Sequence, residues 1–189
     1  GIRILNQDKW EMLISFIISQ RKSIPAIKSS IEKLAKVYGK KIDMKIPEFI
    51  KNIDADTEFY TFPTPKELAN ADIEALNACS LGYRSPYIGA SAKAVYRKDI
   101  DLNAIDSLDD EELLKALMSL KGVGIKVANC VALFGYHRIA AFPIDVWIKR
   151  MIDEHYDGEF PLELYKGYAG VIQQYIFYYG RESAKHSSN

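Results

Sequence analysis

The sequence predicts an all-α protein, and three observations carry that expectation. Apolar residues recur at three- and four-residue steps along most of the 189 residues. Glycine and proline cut those periodic segments into lengths ordinary for helices, and capping residues stand at several of the cuts. No run shows the sustained apolar–polar alternation of a strand across several segments.

In order, Trp10, Leu13, Ile14, Ile17 and Ile18 follow Asn6, Gln7 and Asp8, which predicts a buried helix over residues 8–19 capped at its start. Residues 20–23 (Gln, Arg, Lys, Ser) interrupt it. Ser23 as cap and Pro25 in the first turn open a second helix, whose stripe of Ile24, Ile27, Ile31, Leu34 and Val37 runs to Gly39. Residues 40–61 read as an irregular or hairpin insertion. A short helix is expected over 65–71, and Asp72 caps another carrying Ile73, Leu76 and Cys79. Gly82 and Pro86 break the pattern before a helix over 87–95. Ser107 is expected to head a helix bearing Leu113, Leu117 and Leu120, with the acids at 109–112 suiting the dipole of its first turn. Helices follow over 123–134, ended by Gly135, over 145–154, and over 162–179, closed by Gly180; residues 183–189 have the composition of a tail. There is no internal repeat.

Charge balances at 25 basic and 25 acidic residues, which argues against indiscriminate coating of polyanions. Its distribution is uneven: residues 1–51 hold 11 Lys and Arg against 5 Asp and Glu, a balance of +6, leaving −6 on the rest (14 against 20). One end of the chain is thus able to meet an anion, although a solvated lysine-rich helix pair gives the same counts. Two cysteines, Cys79 and Cys130, exclude a disulfide framework and a four-cysteine iron–sulfur cluster. With no apolar run near the roughly 20 residues of a membrane span, and no signal-peptide pattern, the expected location is the cytosol (the nucleoid in a prokaryote) or the nucleus, not the secreted fraction.

The chemistry gathers at Leu120, Lys121, Gly122, Val123 and Gly124, where a turn with two glycines joins two helices. Glycine admits positive φ and leaves backbone amides uncovered, while Val123 can plug the space between the helices. Amides at a helix N-terminus hold phosphate, so the turn can grip a nucleic-acid backbone without reading sequence. A plain helical hairpin with a glycine cap has the same spacing. Lys126 stands in the first turn of the next helix, where the dipole and apolar neighbours such as Val127 disfavour the ammonium and favour the free amine of Schiff-base chemistry; a solvated lysine is the ordinary alternative. Asp145 follows Pro143 at the start of a helix. It reads as an N-cap, as a carboxylate held near Lys126, or as both. Taken alone, Cys130 and Phe177 read as core, Gln173 as surface, Tyr83 as packing and Arg84 as a surface cation.

Residues 120–130 (Leu-Lys-Gly-Val-Gly-Ile-Lys-Val-Ala-Asn-Cys) with 142–146 (Phe-Pro-Ile-Asp-Val) resemble the helix-hairpin-helix DNA glycosylases in their lyase-competent form, and most closely the 8-oxoguanine DNA glycosylases. Residues 1–8, 16–19, 81–84 with Tyr87, and 168–170 with Gln173 and Phe177 fall in family order, so the resemblance covers nearly the whole chain. It implies a two-lobed fold with the active site in the cleft between lobes, one of about residues 25–124 and the other of 1–24 plus 125–182. It implies a monomeric base-excision repair enzyme acting on damaged double-stranded DNA, with no membrane partner. Lys126 would attack C1′ of an extruded nucleotide, expel an oxidised purine such as 8-oxoguanine, and form the imine through which the 3′ phosphate is eliminated; Asp145 would stabilise the oxocarbenium-like transition state. Cys130 and Phe177 would sandwich the base while Gln173 reads its Watson–Crick edge. Tyr83 and Arg84 would press into the duplex, and Gly122, Val123 and Gly124 would hold the backbone. No metal or other cofactor is implied, apart from a monovalent cation at the hairpin.

The chain departs from the family in two places. Arg21, followed by Lys22, stands at the wedge position where the family usually has asparagine, with Ala26 where an arginine often reads the opposite base. The N-terminal β-rich domain, whose backbone distinguishes oxidised from normal guanine, has no counterpart in these residues, so the chain uses another reader or is a fragment. Competing expectations are the same mechanism on a different base, a non-catalytic helix-hairpin-helix module, and a helical protein unrelated to nucleic acid. The last two leave the pairing of Lys126 with Asp145 unexplained.

Overall fold

The computed structural model describes residues 1–44, 54 and 57–186. In chain order the described elements are α1 (Lys9–Ser19), α2 (Ile24–Tyr38), β1 (Lys41–Ile42), β2 (Phe59–Tyr60), α3 (Pro65–Ala69), α4 (Ile73–Ala78), a 3-10 turn (Gly82–Arg84), α5 (Ser85–Tyr96), a 3-10 turn (Ala104–Ser107), α6 (Asp110–Met118), α7 (Ile125–Gly135), α8 (Val146–His155), a 3-10 turn (Leu162–Tyr165) and α9 (Ala169–His186). The all-α expectation holds. The β elements are a single antiparallel pair of two residues each, Lys41 opposite Tyr60 and Ile42 opposite Phe59. They form the ends of the expected insertion, whose residues 45–53 and 55–56 lie outside the described residues.

Most helix starts follow from side-chain chemistry. Asp8 accepts the Glu11 amide at 2.8 Å to begin α1. Thr64 and Glu67 form a reciprocal capping box at α3, and Asp72 accepts the Glu74 and Ala75 amides at α4, each cap being worth about 1 kcal/mol. Three expected boundaries move, the first being the start of the last helix, since Leu162–Tyr165 is a separate 3-10 turn. Ser107 does not head α6: its hydroxyl donates to the Ala104 carbonyl at 2.9 Å inside the preceding 3-10 turn, and Asp109 takes the cap by accepting the Glu112 amide. Gly180 does not close the last helix, which starts at Ala169 and continues to His186. A Cβ at Gly180 would stand 2.9 Å from Cγ and Sδ of Met151. The glycine is there so that α9 can lie against α8. The expected tail is therefore helical as far as 186, with 187–189 outside the described residues.

The chain divides into two compact units, Gly1–Phe16 with Leu102–Asn189, and Ile17–Asp101. The sequence division near residues 24 and 124 separates the two arms of the glycine hairpin; here α6 packs along α7, and the hairpin stays whole in the first unit. That unit is centred on Leu13, Ile14, Leu113, Leu117, Val131, Leu133 and Ile148, all fully buried. Each contributes roughly 1.5–3 kcal/mol of burial. The second unit is centred on Ile17, Ile18, Leu34, Leu68, Leu76, Leu81 and Ile88, with α3 and α4 packed on α5. The stripe of α2 is less buried than its periodicity suggests. Leu34 is fully covered, while Ile24 and Val37 remain 51% and 56% exposed.

Candidate functional site

The hairpin is built as its residue types require. After α6, the Leu120 amide donates to Leu117 O at 3.2 Å and the Val123 amide to Leu120 O at 3.1 Å, forming one tight turn. Gly122 has φ 84°, in the left-handed region that glycine enters without steric cost. Leu120 and Val123 are buried and pin the turn. Gly124 is the N-cap of α7 and brings no side chain to the cap; it is exposed, with open space where a Cβ would stand. The first-turn amides of α7 therefore point, uncapped by side chain, toward whatever anion approaches.

Lys126 lies one residue inside α7. Its Nζ sits 5.7 Å from the centroid of the Phe16 ring, and that ring stacks on Phe134 at 5.6 Å, so the amine rests on a rigid aromatic face. One turn later on the same helix face, Cys130 is 5% exposed. Burial pushes its thiol up to about 11; the Lys126 charge and a Lys126 hydrogen bond pull it down, and the Asp145 charge pushes it up. Lys126 and Asp145 thus both lie within electrostatic reach of Cys130. Asp145 caps α8, its Oδ1 accepting the Trp147 amide at 3.0 Å and the Ile148 amide at 2.8 Å. The second carboxylate oxygen lies outside the cap.

The raised thiol fixes an expected outcome. Alkylation of Cys130 by iodoacetamide in the folded protein should be slow at pH 8 and climb toward pH 11, whereas a free thiol ionises near 9.0. Because the folded state holds the proton more tightly than the unfolded one, the thiol's contribution to stability is present below about pH 9 and is lost as pH rises through 11. Rapid labelling of Cys130 at pH 8 in protein shown to be folded would contradict this account.

Gln173 is not a surface residue, as its type alone suggests; it is 4% exposed. Its Nε2 donates to Pro143 O at 3.0 Å, and its Oε1 accepts Gln174 Nε2 at 2.6 Å. The cause lies one turn earlier. The Gly170 amide donates to Ile139 O at 2.8 Å, and a Cβ there would meet Ala141 O at 2.5 Å. Glycine lets α9 start against the segment that leads to Pro143 and Asp145, which sets Gln173 over that segment. Phe177, one turn further, is half-buried with the Arg181 guanidinium 5.6 Å from its ring centroid. The cavity beside Phe177 is lined by Ile2, Gln174, Tyr178, Arg181 and Glu182. Cys130 is not among the residues that line that cavity.

The other expected contacts belong to the second unit. Arg21 is exposed, with φ 52°. Lys22 Nζ donates to Ser30 Oγ and Ser80 O, both at 2.5 Å. Tyr83 is 50% exposed, whereas Arg84 is 6% exposed. Arg84 donates through Nε to Gln20 O at 2.9 Å, through a second nitrogen to the same oxygen, and through Nη1 to Leu81 O at 3.2 Å. It is a buried clamp, not the surface cation its type alone suggests.

Residues 14–159 match the family of HhH-GPD superfamily base excision DNA repair proteins. This chain belongs to that superfamily. A probable N-glycosylase/DNA lyase of Methanothermobacter thermautotrophicus is 30% identical over 97% of the chain and 64% of its own length. The N-glycosylase/DNA lyase of Saccharomyces cerevisiae is 34% identical over 82% of the chain and 42% of its own length. Among solved structures, the 8-oxoguanine glycosylase/lyase of Clostridium acetobutylicum, in complex with double-stranded DNA containing cytosine opposite 8-oxoguanine, superposes with a TM-score of 0.86 at 34% identity, covering 97% of this chain and 63% of that one. The chain therefore spans less than two thirds of each of these HhH-GPD relatives.

Sequence reasoning placed the lysine, the cap and the hairpin but gave no role to Phe16 beneath Lys126 or to Arg181 over Phe177. Phe16 lies 110 positions before Lys126, and no local pattern joins them. Arg181 is four residues after Phe177, a helical spacing that was readable. Among the described residues no cluster of three or more His, Cys, Asp and Glu forms a metal site, and no helix is long and apolar enough to cross a membrane.

Proposed function

We propose that this protein is a bifunctional DNA glycosylase and abasic-site lyase that removes an oxidised purine, 8-oxoguanine first among them, from double-stranded DNA. The observation that supports the proposal is that Cys130 feels the charges of both Lys126, on the helix that follows the hairpin, and Asp145, at the cap of α8, while the helix start at the hairpin has no side-chain cap. The names of the HhH-GPD relatives support it.

In the proposed reaction the hairpin at Gly122, Val123 and Gly124 holds the backbone, and Tyr83 and Arg21 meet the duplex from the second unit. The extruded nucleotide presents C1′ to the Lys126 amine. As the N–glycosidic bond breaks, the base leaves with a proton and the Lys126 Nζ–C1′ bond forms. The Asp145 carboxylate balances the positive charge that builds on the sugar. Ring opening gives the imine, loss of a C2′ proton then expels the 3′ phosphate, and water releases the lysine. Gln173 and Phe177 act on the base itself. These steps need no cofactor. A monovalent cation at the hairpin would rest on carbonyl oxygens, because Leu120, Lys121 and Val123 offer no anionic side chain. The protein acts as a monomer in this proposal, which sedimentation would check.

The test is release of free base from duplexes carrying one oxidised purine, with cytosine, adenine, guanine or thymine opposite. Release of 8-oxoguanine with strand cleavage 3′ to the site is expected. Cleavage of an abasic duplex without release of any oxidised purine would keep the lyase and refute the stated substrate.

A further inference from the structure

Between α7 and α8 the chain runs through residues 136–145 without regular secondary structure, and Asp145 ends that run as the cap of α8. One hold on the run comes from α9, through the Gly170 amide on Ile139 O at 2.8 Å and Gln173 Nε2 on Pro143 O at 3.0 Å. A second hold is aromatic. After α8 the chain reverses at Asp157 (φ 51°) and Gly158 (φ 88°), both in the left-handed region. The Gly158 amide donates to Ile152 O at 3.3 Å and the Glu159 amide to Tyr156 O at 3.0 Å. The reversal returns Phe160 to Phe142, just ahead of Asp145, and their rings stack at 5.0 Å with 16° between planes. Phe160 also stacks on Tyr165 at 5.4 Å and 16°, and meets the Tyr156 ring edge-on at 4.9 Å. Near-parallel and edge-on pairs of this kind attract beyond the area they bury. The stack thus ties the stretch that enters α8 to the stretch that leaves it.

We propose that Phe160 is a positioning residue for Asp145: stacked on Phe142, it fixes the entry to α8 and so holds the Asp145 carboxylate in one place for the charge that develops on the sugar. The Trp147 and Ile148 amides fix that carboxylate relative to α8. They do not fix α8 itself. Past its middle, α8 rests on α9, where Met151 fills the side of Gly180; the stack adds the constraint at its first turn, because a slide or roll of α8 would draw Phe142 and Phe160 apart. The rings are not part of the core: Phe142, Phe160 and Tyr165 are half-buried, and Tyr156 is 37% exposed. Nor do they suit a platform for nucleic-acid bases, which needs cations beside its rings. Residues 153–165 carry Asp153, Glu154, Asp157, Glu159 and Glu163 with no Lys or Arg, a charge that repels phosphate. What the cluster does grip is the segment that carries Asp145.

This inference rests on the proposed glycosylase activity, and its test separates the two. Phe160→Leu keeps an apolar side chain and removes the stack, whereas Phe160→Tyr keeps the ring; each is studied alone and combined with Asp145→Asn. Phe160→Leu is expected to slow single-turnover excision of 8-oxoguanine by about tenfold, with affinity for a duplex carrying an abasic-site analogue within about twofold of wild type. Cleavage of a preformed abasic site should slow less, and Phe160→Tyr should restore excision. In the Asp145→Asn background Phe160→Leu should cost nothing more, the sign of residues acting as one unit. Amide hydrogen exchange supplies a readout that needs no activity: the Trp147 and Ile148 amides should exchange about tenfold faster in Phe160→Leu, while those of residues 128–133 in α7 change far less. A merely structural loss would speed the α7 amides equally and slow both chemical steps alike, and that outcome overturns the proposal. So do losses that add to those of Asp145→Asn, wild-type excision by Phe160→Leu, or a Phe160→Tyr protein no better than Phe160→Leu. Should Phe160→Leu fail to fold, Tyr165→Leu, which removes only the outer ring, is judged by the same comparisons, with a several-fold loss expected. If the wild type releases no base, the glycosylase proposal fails, and exchange at Trp147 and Ile148 decides the inference alone.

Discussion

Replacing Lys126 with glutamine is expected to abolish base release and strand cleavage while leaving DNA binding within a few-fold of wild type. Lys126 lies just past the hairpin and does not shape it: the turn is set by Gly122 and by the buried Leu120 and Val123. Glutamine keeps most of the aliphatic stem over Phe16 and the amphipathic fit of α7. What it removes is an amine able to bond to C1′. Removing a nucleophile from a covalent mechanism costs on the order of 10^4-fold or more, so activity should fall below detection under single-turnover conditions. Residual excision within tenfold of wild type would show that water does the displacement and that Lys126 only attracts phosphate.

Asp145→Asn is the second large expected effect, and it separates two roles that the sequence leaves merged. Asparagine caps a helix about as well as aspartate, and its side-chain oxygen can accept the Trp147 and Ile148 amides as Oδ1 does now. The melting temperature should therefore change little. The negative charge that the proposed reaction sets against the developing charge of the sugar is lost, which should slow base excision by about 10^2 to 10^3-fold. Cleavage of a preformed abasic site should suffer less, because no oxocarbenium-like charge has to develop in that step. Asp145→Ala should show both the chemical loss and a stability loss of about 1 kcal/mol from the missing cap. A strongly destabilised Asp145→Asn protein, or one excising at the wild-type rate, would leave Asp145 as a cap alone.

Local chemistry was the legible part of this chain. Asp8, Asp72 and Asp145 announce helix starts because a short carboxylate next to an apolar-periodic run has few other uses, and each caps as expected. The hairpin was readable for the same reason, since two glycines around one apolar residue suit few other structures. Partnerships across the chain were not legible. Nothing near Gly180 says that Met151 will fill its side, so a packing glycine reads as a helix stop. Gln173 reads as surface because its acceptor, Pro143 O, arrives only once Gly170 has docked α9. Arg84 reads as a free cation because backbone carbonyls, its actual partners, carry no sequence signature. The α2 stripe shows the reverse: periodicity located the helix but could not say that Ile24 and Val37 would stay exposed.

The central claim is that the Lys126 amine becomes covalently bound to DNA, and the most direct measurement is to capture that bond. The protein is incubated with duplex DNA containing 8-oxoguanine, reduced with borohydride, digested, and sequenced by mass spectrometry. The account predicts a reduced deoxyribose adduct on the peptide spanning α7, at Lys126 and absent from Lys121. An adduct mapped to another lysine, or to none under conditions where an abasic duplex is cleaved, would contradict it.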